Sequence, residues 1–217
     1  MSREIRITPS ILNADRDDLS HEISRIAQES DFIHLDVMDN VFVPNFTFDF
    51  DSASTIIKSS PVPIDSHLMV AEVDDIAIAY AQAGSASVTF HVEAVEDIRR
   101  TARGIRAAGA RASLALKPAS AIADFQEFLG DVDMVLIMTV EPGFGGQAFI
   151  EEMLPKIKET RSLIGDRPIW LQVDGGISLE TIERAASAGA DTFVAGSAVF
   201  RAEDPAAMIR QLRSALH

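Results

Sequence analysis

Short runs of apolar and β-branched residues recur along the chain at 5–11, 32–38, 64–70, 87–93, 111–117, 134–140, 169–174 and 192–197. Between them lie segments with the 3.6-residue periodicity of amphipathic helices. In 17–27, Leu19, Ile23 and Ile26 share one face, and in 181–188, Ile182, Ala185 and Ala186 do the same. Three of these helices end in similar phrases, QAGSASVTF, AAGARASLAL and SAGADTFVAG, which place Gly84, Gly109 and Gly189 where a helix end needs a left-handed residue before a strand begins. Strands alternating with helices imply a parallel sheet. Eight units in 217 residues average about 27 each, close to the minimum for a βαβ repeat. Eight such units favour a closed (β/α)8 TIM barrel over an open doubly wound sheet, because closure leaves no edge strand. No low-complexity tract or linker interrupts the pattern, so residues 1–217 are read as a single (β/α)8 barrel domain.

The strands have two unlike faces. Ile33, Leu35 and Val37 alternate with His34, Asp36 and Met38; Ile64, Leu68 and Val70 alternate with Asp65, His67 and Met69, with Ser66 the exception. Val88, Phe90 and Val92 oppose Thr89, His91 and Glu93, and Leu171 and Val173 oppose Gln172 and Asp174. In a barrel the aliphatic face must meet the helices, so the polar face points inward. Ionisable groups buried there without partners would cost several kcal/mol each, roughly, so they require a metal, a substrate or one another.

Composition narrows the chemistry. With 19 Lys+Arg against 33 Asp+Glu the formal charge is −14, which argues against nucleic acid and against a polybasic membrane contact. The absence of cysteine removes disulfides, thiolate zinc sites, iron–sulfur clusters and cysteine nucleophiles. The opening MSREIRITPSILNADRDD has no long apolar stretch, so no membrane contact and a soluble, cytoplasmic protein are expected.

Four side chains converge at predicted strand ends: His34 and Asp36 two apart on one strand, His67 on the next, and Asp174 on the seventh. Two imidazoles and two carboxylates without a thiolate suit Zn2+, Fe2+, Mn2+ or Co2+. A core histidine or a capping aspartate accounts for any one of them; a shared cation accounts better for all four. Glycine forms the second constellation. EPGFGGQ follows the sixth strand, DGGI the seventh and AGSA the eighth, and three neighbouring glycine loops suit a phosphate group better than three unrelated tight turns.

The segments PSILNAD, FIHLDVMDNVFVPN, DSHLMV, TFHVEA, ALKPA, MTVEPGFGGQAFI, VDGGI and VAGSAVF, in unbroken order from first strand to last, resemble the ribulose-phosphate 3-epimerase family. The resemblance implies a catalytic barrel that interconverts D-ribulose 5-phosphate and D-xylulose 5-phosphate through an enediolate. One divalent metal ion is expected, Zn2+ first, with Fe2+, Mn2+ or Co2+ as alternatives. It makes His34, Asp36, His67 and Asp174 the metal ligands, and Asp36 and Asp174 the acid/base pair on opposite faces of the sugar. Ser10 and His67 would bind substrate; Gly143, Phe144, Gly145, Gly146, Gly175, Gly176, Gly196 and Ser197 would hold it largely by its phosphate. Met38, Met69 and Met138 would form an apolar cap around the reacting carbons. The implied partner is a small-molecule ketose phosphate, and a homo-oligomer is expected.

His91 and Glu93 are read as supporting residues rather than ligands. Lys117, at the end of the fifth strand, stands where a Schiff-base aldolase would keep its lysine, but beside Pro118 it is expected to reach solvent. The aromatic-rich connection 40–50 suits a substrate lid, a subunit contact or a buried plug. Asn40, Val41, Ser66 and Lys117, with the continuation FTFDFDSAS, depart from the usual family text and leave room for another ketose phosphate such as allulose 6-phosphate. A phosphosugar lyase would need an imine lysine or the D-x-K-x-x-D pattern, which is absent; a non-catalytic phosphosugar-binding barrel would not need two opposed carboxylates.

Overall fold

The computed structural model describes residues 4–216. Eight strands run in parallel: β1 Arg6–Thr8, β2 Ile33–Met38, β3 Ile64–Met69, β4 Ser87–His91, β5 Arg111–Leu116, β6 Met134–Met138, β7 Trp170–Asp174 and β8 Thr192–Val194. Each pairs with its successor from β2 to β8, and β8 pairs with β1. Between β1 and β2 a parallel bridge joins Ser10 to His34, whose N–H donates to the Pro9 carbonyl at 2.9 Å. That bridge brings the ends of the sheet together, giving the (β/α)8 barrel expected from eight alternating runs.

Helices α1 Leu19–Ile26, α2 Phe50–Ser59, α3 Val73–Gln82, α4 Ile98–Ala107, α5 Leu154–Ile164, α6 Ile182–Ala188, α7 Ser197–Phe200 and α8 Pro205–Ser214 cover the outside. The regular unit fails once. After β5 the chain forms a 3₁₀ stretch, Ile122–Phe128, rather than an α-helix. No side chain caps its start, and little chain separates Pro118 from β6. Among the described residues no helix is long and apolar enough to cross a membrane.

The two faces of the strands separate as predicted. Ile33, Leu35, Leu68, Val88, Phe90, Leu114, Val135, Leu171 and Phe193 join one large core with Ile26, Ala77, Ile105, Ile157, Ile182 and Ile209 from the helices. Ser66, the polar exception on that face, is satisfied by Ser85 at 2.9 Å. Among the described residues, two small apolar clusters lie inside the barrel near the C-terminal mouth, Ala115–Leu136–Met138–Val140 and Met38–Val43–Met69. Below them His34, Asp65, His67, His91 and Gln172 are buried. At the opposite mouth the guanidinium carbons of Arg6 and Arg111 lie 3.6 and 3.5 Å from the Trp170 ring centroid, a double cation–π stack that plugs the barrel.

The three glycine phrases do end helices, with Gly84, Gly109 and Gly189 at φ 111°, 93° and 117°. Gly189 is the most constrained, because an added Cβ would stand 2.7 Å from the Arg161 Cβ. Arg161 itself bonds the Gly189 carbonyl at 2.8 Å and Asp191 at 2.5 Å. Gly189→Ala therefore meets both left-handed strain and a collision, and is expected to lower unfolding stability by at least about 1–2 kcal/mol. Urea denaturation reads this, and an unchanged midpoint would contradict it.

Candidate functional site

Register places the polar side chains together. Parallel pairing sets Asp36 beside His67, Met38 beside Met69, and Met138 beside Asp174. Ligand-type atoms of His34, Asp36, His67 and Asp174 lie within 4.8 Å of one another. Asp36 Oδ1 is 3.0 Å from His67 Nδ1 and 3.4 Å from His34 Nε2. Asp174 Oδ2 is 3.6 and 3.8 Å from the same nitrogens, and the nitrogens are 3.3 Å apart. The four residues that sequence reasoning grouped thus form one cluster at the C-terminal mouth, with both imidazoles fully buried.

Neighbours fix these atoms. His34 Nδ1 faces Asp65 Oδ2 at 2.9 Å, and Gln172 donates to the same oxygen at 2.7 Å. Ser10 donates to Asp36 Oδ2 at 2.5 Å, leaving Oδ1 for the cluster. Thr47 ties the loop after β2 to the strand, donating to the Asp36 carbonyl at 2.7 Å and accepting from the Met38 N–H at 2.9 Å. His67 Nε2 meets His91 Nε2 at 2.9 Å, and His91 Nδ1 meets Glu93 at 3.1 Å. Roles for Asp65, Gln172 and Thr47 were not legible in the sequence pattern. The signal for Asp65 was its place two residues before His67 on the same strand face, where register sets it opposite His34.

Ionisation in the cluster is uneven. Burial works against a charge on His34, but Asp36 and Asp65 override it and raise the imidazole well above its ordinary pKa. Burial likewise opposes the Asp36 carboxylate, yet His34 and His67 hold it far below the usual range. Asp174 is pushed up to about 6, first by burial and then by the charge of Asp36. Burial drives His91 down to about 4 despite Glu93.

These atoms suit a divalent cation. With His34 Nδ1–H directed to Asp65, Nε2 presents a lone pair to the same space as two carboxylates and His67 Nδ1, and protons alone would have to relieve that crowding. Bonds of roughly 2.0–2.2 Å to a tetrahedral centre put donor atoms roughly 3.3–3.6 Å apart, and the observed 3.0–3.8 Å bracket that range.

Above the cluster the central cavity is lined by Ser10, Met38, Met69, Met138, Gly143, Phe144, Gly145, Gly146, Gly175, Gly176, Gly196 and Ser197, with Asp36 and Asp174 at its floor. Every expected site residue except the two buried histidines faces it. The chain at Gly176 must be glycine: φ is 66° and an added Cβ would stand 2.4 Å from the Phe149 backbone nitrogen. Asn13, also unassigned from sequence, wedges between the β6 and β8 loops, its Oδ1 lying 2.6 Å from where a Cβ on Gly145 would project and 3.0 Å from one on Gly196.

The connection 40–50 is partly a plug. Val43 is buried against Met38 and Met69, Phe42 lies over His91 at 4.9 Å, and Asn45 donates to the Gly143 carbonyl at 2.9 Å. Val41 and Phe46 remain exposed, and Asn40 takes φ 59°, the left-handed turn its side chain tolerates. Lys117 does not line the central cavity; its ammonium sits 3.6 Å from the Phe42 ring centroid.

Fold and site together define a (β/α)8-barrel enzyme with a cation-competent centre at its C-terminal mouth. The model of the ribulose-phosphate 3-epimerase family matches residues 6–200. A ribulose-phosphate 3-epimerase of Mycobacterium leprae (strain TN) is 46% identical over 209 residues, covering 95% of this chain and 93% of the relative. One from Escherichia coli (strain K12) is 40% identical over 222 residues, covering 99% and 97%. Solved structures include the 3-keto-L-gulonate-6-phosphate decarboxylase of Vibrio cholerae O1 biovar El Tor str. N16961, with TM-score 0.74 at 17% identity, covering 99% of this chain and 98% of that one; at that distance the likeness concerns the fold alone. The chain belongs to the ribulose-phosphate 3-epimerase family and is an isomerase.

Protons and a cation must compete for this centre, since His34 and Asp174 hold protons where a cation would bind. The affinity of metal-stripped protein for Co2+ is expected to rise as pH increases from 5 to 8, as these sites deprotonate, with protons released on binding. Titration calorimetry in two buffers of different ionisation heat measures both; constant affinity without proton release would contradict the shifts.

Proposed function

We propose that residues 1–217 form one catalytic domain, a metal-dependent 3-epimerase interconverting D-ribulose 5-phosphate and D-xylulose 5-phosphate by proton transfer between two aspartates. The observation that carries this reading is the pair Asp36 and Asp174, two carboxylates in one buried cluster whose proton affinities are driven in opposite directions. Inverting a carbon beside a ketone requires a base on one face and an acid on the other, so one carboxyl must be ionised while its partner is protonated. Asp36 starts as the base and Asp174 as the acid, and the reverse reaction exchanges them.

His34, Asp36, His67 and Asp174 would hold one divalent ion, Zn2+ by preference, with Fe2+, Mn2+ or Co2+ also suited to the donor set. When bound, it supplies positive charge that stabilises the negative charge developing on the sugar oxygens. Ser10 steadies Asp36 and contacts substrate from the cavity wall, whereas His67, expected from the sequence to bind substrate as well, is buried beneath the cavity and would act through the ion alone. Met38, Met69 and Met138 give the reacting carbons a soft surface that excludes water without offering a competing charge. Backbone N–H groups of the loops at Gly143, Phe144, Gly145, Gly146, Gly175, Gly176, Gly196 and Ser197 take the phosphate, since glycine lets the main chain approach an anion closely. Exposed Val41, Phe46 and Phe50 support assembly into a homo-oligomer. Lys117, pinned on Phe42 outside the cavity, gives no support to an imine-forming lyase.

The test is a panel of ketopentose and ketohexose phosphates incubated with metal-replete enzyme in D2O. Ribulose 5-phosphate should gain deuterium at C3 and yield xylulose 5-phosphate faster than any ketohexose phosphate reacts; a faster allulose 6-phosphate would reassign the substrate. Asp36→Asn and Asp174→Asn should each lower turnover by at least about 10²–10⁴-fold with the fold retained by circular dichroism. Activity within tenfold of wild type in either variant would refute the two-aspartate mechanism.

A further inference from the structure

The two imidazoles of the cluster are held from behind in different ways. His34 reaches a carboxylate directly, through Asp65. His67 reaches one only through a second imidazole: Nε2 lies 2.9 Å from His91 Nε2, and His91 Nδ1 lies 3.1 Å from Glu93 Oε2. The two rings meet edge to edge with centroids 5.1 Å apart and planes 27° apart, and His91 is fully buried beneath Phe42. Glu93 Oε1 accepts from the Lys117 N–H at 2.9 Å and from the Ser120 hydroxyl. The chain of contacts therefore runs from the centre to the loop after β5.

Its proton arrangement follows from the end nearest the surface. Glu93 is surrounded by donors, which hold it down at about 2 although burial opposes its charge. A carboxylate can only accept, so His91 Nδ1 must carry a proton, and the neutral ring then presents a lone pair at Nε2. Only one proton fits between two facing nitrogens, and it must come from His67 Nε2. That leaves His67 Nδ1 as a lone pair directed into the cluster, beside Asp36 Oδ1. The opposite arrangement would put an unprotonated His91 nitrogen against the Glu93 carboxylate.

We infer that Glu93 and His91 are positioning residues that fix the tautomer and orientation of His67 and so tune its grip on the divalent ion. This rests on the metal reading above and extends it to two residues outside the ligand set. Outer partners of ligating histidines typically change metal affinity 10–100-fold when removed.

The experiment uses the full chain stripped of metal. Co2+ is titrated against a chelating indicator, the visible spectrum of the loaded protein is recorded, and thermal unfolding of each metal-free variant checks the fold. His91→Phe, which keeps a ring but loses the acceptor, and Glu93→Gln, which keeps the shape but loses the charge, should each weaken Co2+ binding tenfold or more and shift its ligand-field bands. His91→Gln should restore affinity to within threefold of wild type, because its amide oxygen can accept from His67 Nε2. Wild-type affinity and spectrum in both His91→Phe and Glu93→Gln would overturn the relay. If His91→Phe does not fold, Glu93→Gln decides alone: weakened binding supports the relay and unchanged binding overturns it. A wild-type chain that takes up no Co2+ would overturn the metal reading together with the relay, whereas wild-type binding with unaffected variants would overturn the relay alone.

Discussion

A crowd of hydrogen-bond acceptors inside a barrel is the constraint on which the rest of this structure depends. Barrel interiors are ordinarily filled by branched apolar side chains, yet here His34, Asp36 and His67 are buried at the mouth with Asp174 beside them. In a low-dielectric interior such a set must gain positive charge, as protons or as a cation. The protons show in the electrostatics: His34 is held well above its ordinary pKa, and Asp174 is pushed up to about 6. The free energy that burial withholds from these groups would become affinity for a cation in the proposed enzyme, and it already divides protons unevenly between two carboxylates.

The supporting side chains act by removing alternatives. Ser10 occupies one oxygen of Asp36, Asp65 occupies the rear nitrogen of His34, and Thr47 clamps the loop onto β2 on either side of Asp36 and Met38. Each leaves one direction open, and the open directions converge. Rigid β-strands make this economical, because alternation and register set which atoms face each other before any loop is placed. The plugged opposite mouth, with Trp170 between Arg6 and Arg111, leaves the functional mouth as the open end.

A chain of formal charge −14 offers no general attraction to a phosphate. For the proposed phosphate, local dipoles would serve instead, and they are strongest where bare backbone can come close. Glycines in the loops after β6, β7 and β8 would provide that approach; at Gly176 the Phe149 backbone leaves no room for a side chain, and the Asn13 amide lies where one on Gly145 would project. The glycine loops, the methionines and the two carboxylates thus line one cavity.

The amino-acid sequence alone determined the eight alternating units, the inward polar face, the helix-ending glycines and the grouping of His34, Asp36, His67 and Asp174. All of these follow from local periodicity and from the rule that a barrel has one inside. It did not determine that Asp65 and Gln172 secure His34, that Asn13 lies against two glycine loops, or which of its readings the connection 40–50 would take, packing Val43 and Phe42 against the mouth while exposing Val41 and Phe46. Nor did it foresee the 3₁₀ stretch at Ile122–Phe128 in place of a helix, or the ammonium of half-exposed Lys117 resting on Phe42. Those features depend on strand register, loop length and contacts between residues as far apart as Asp65 and Gln172. Tertiary structure decided them because a side chain's spacing reveals which face it occupies, whereas its partner depends on what the rest of the chain brings to that face.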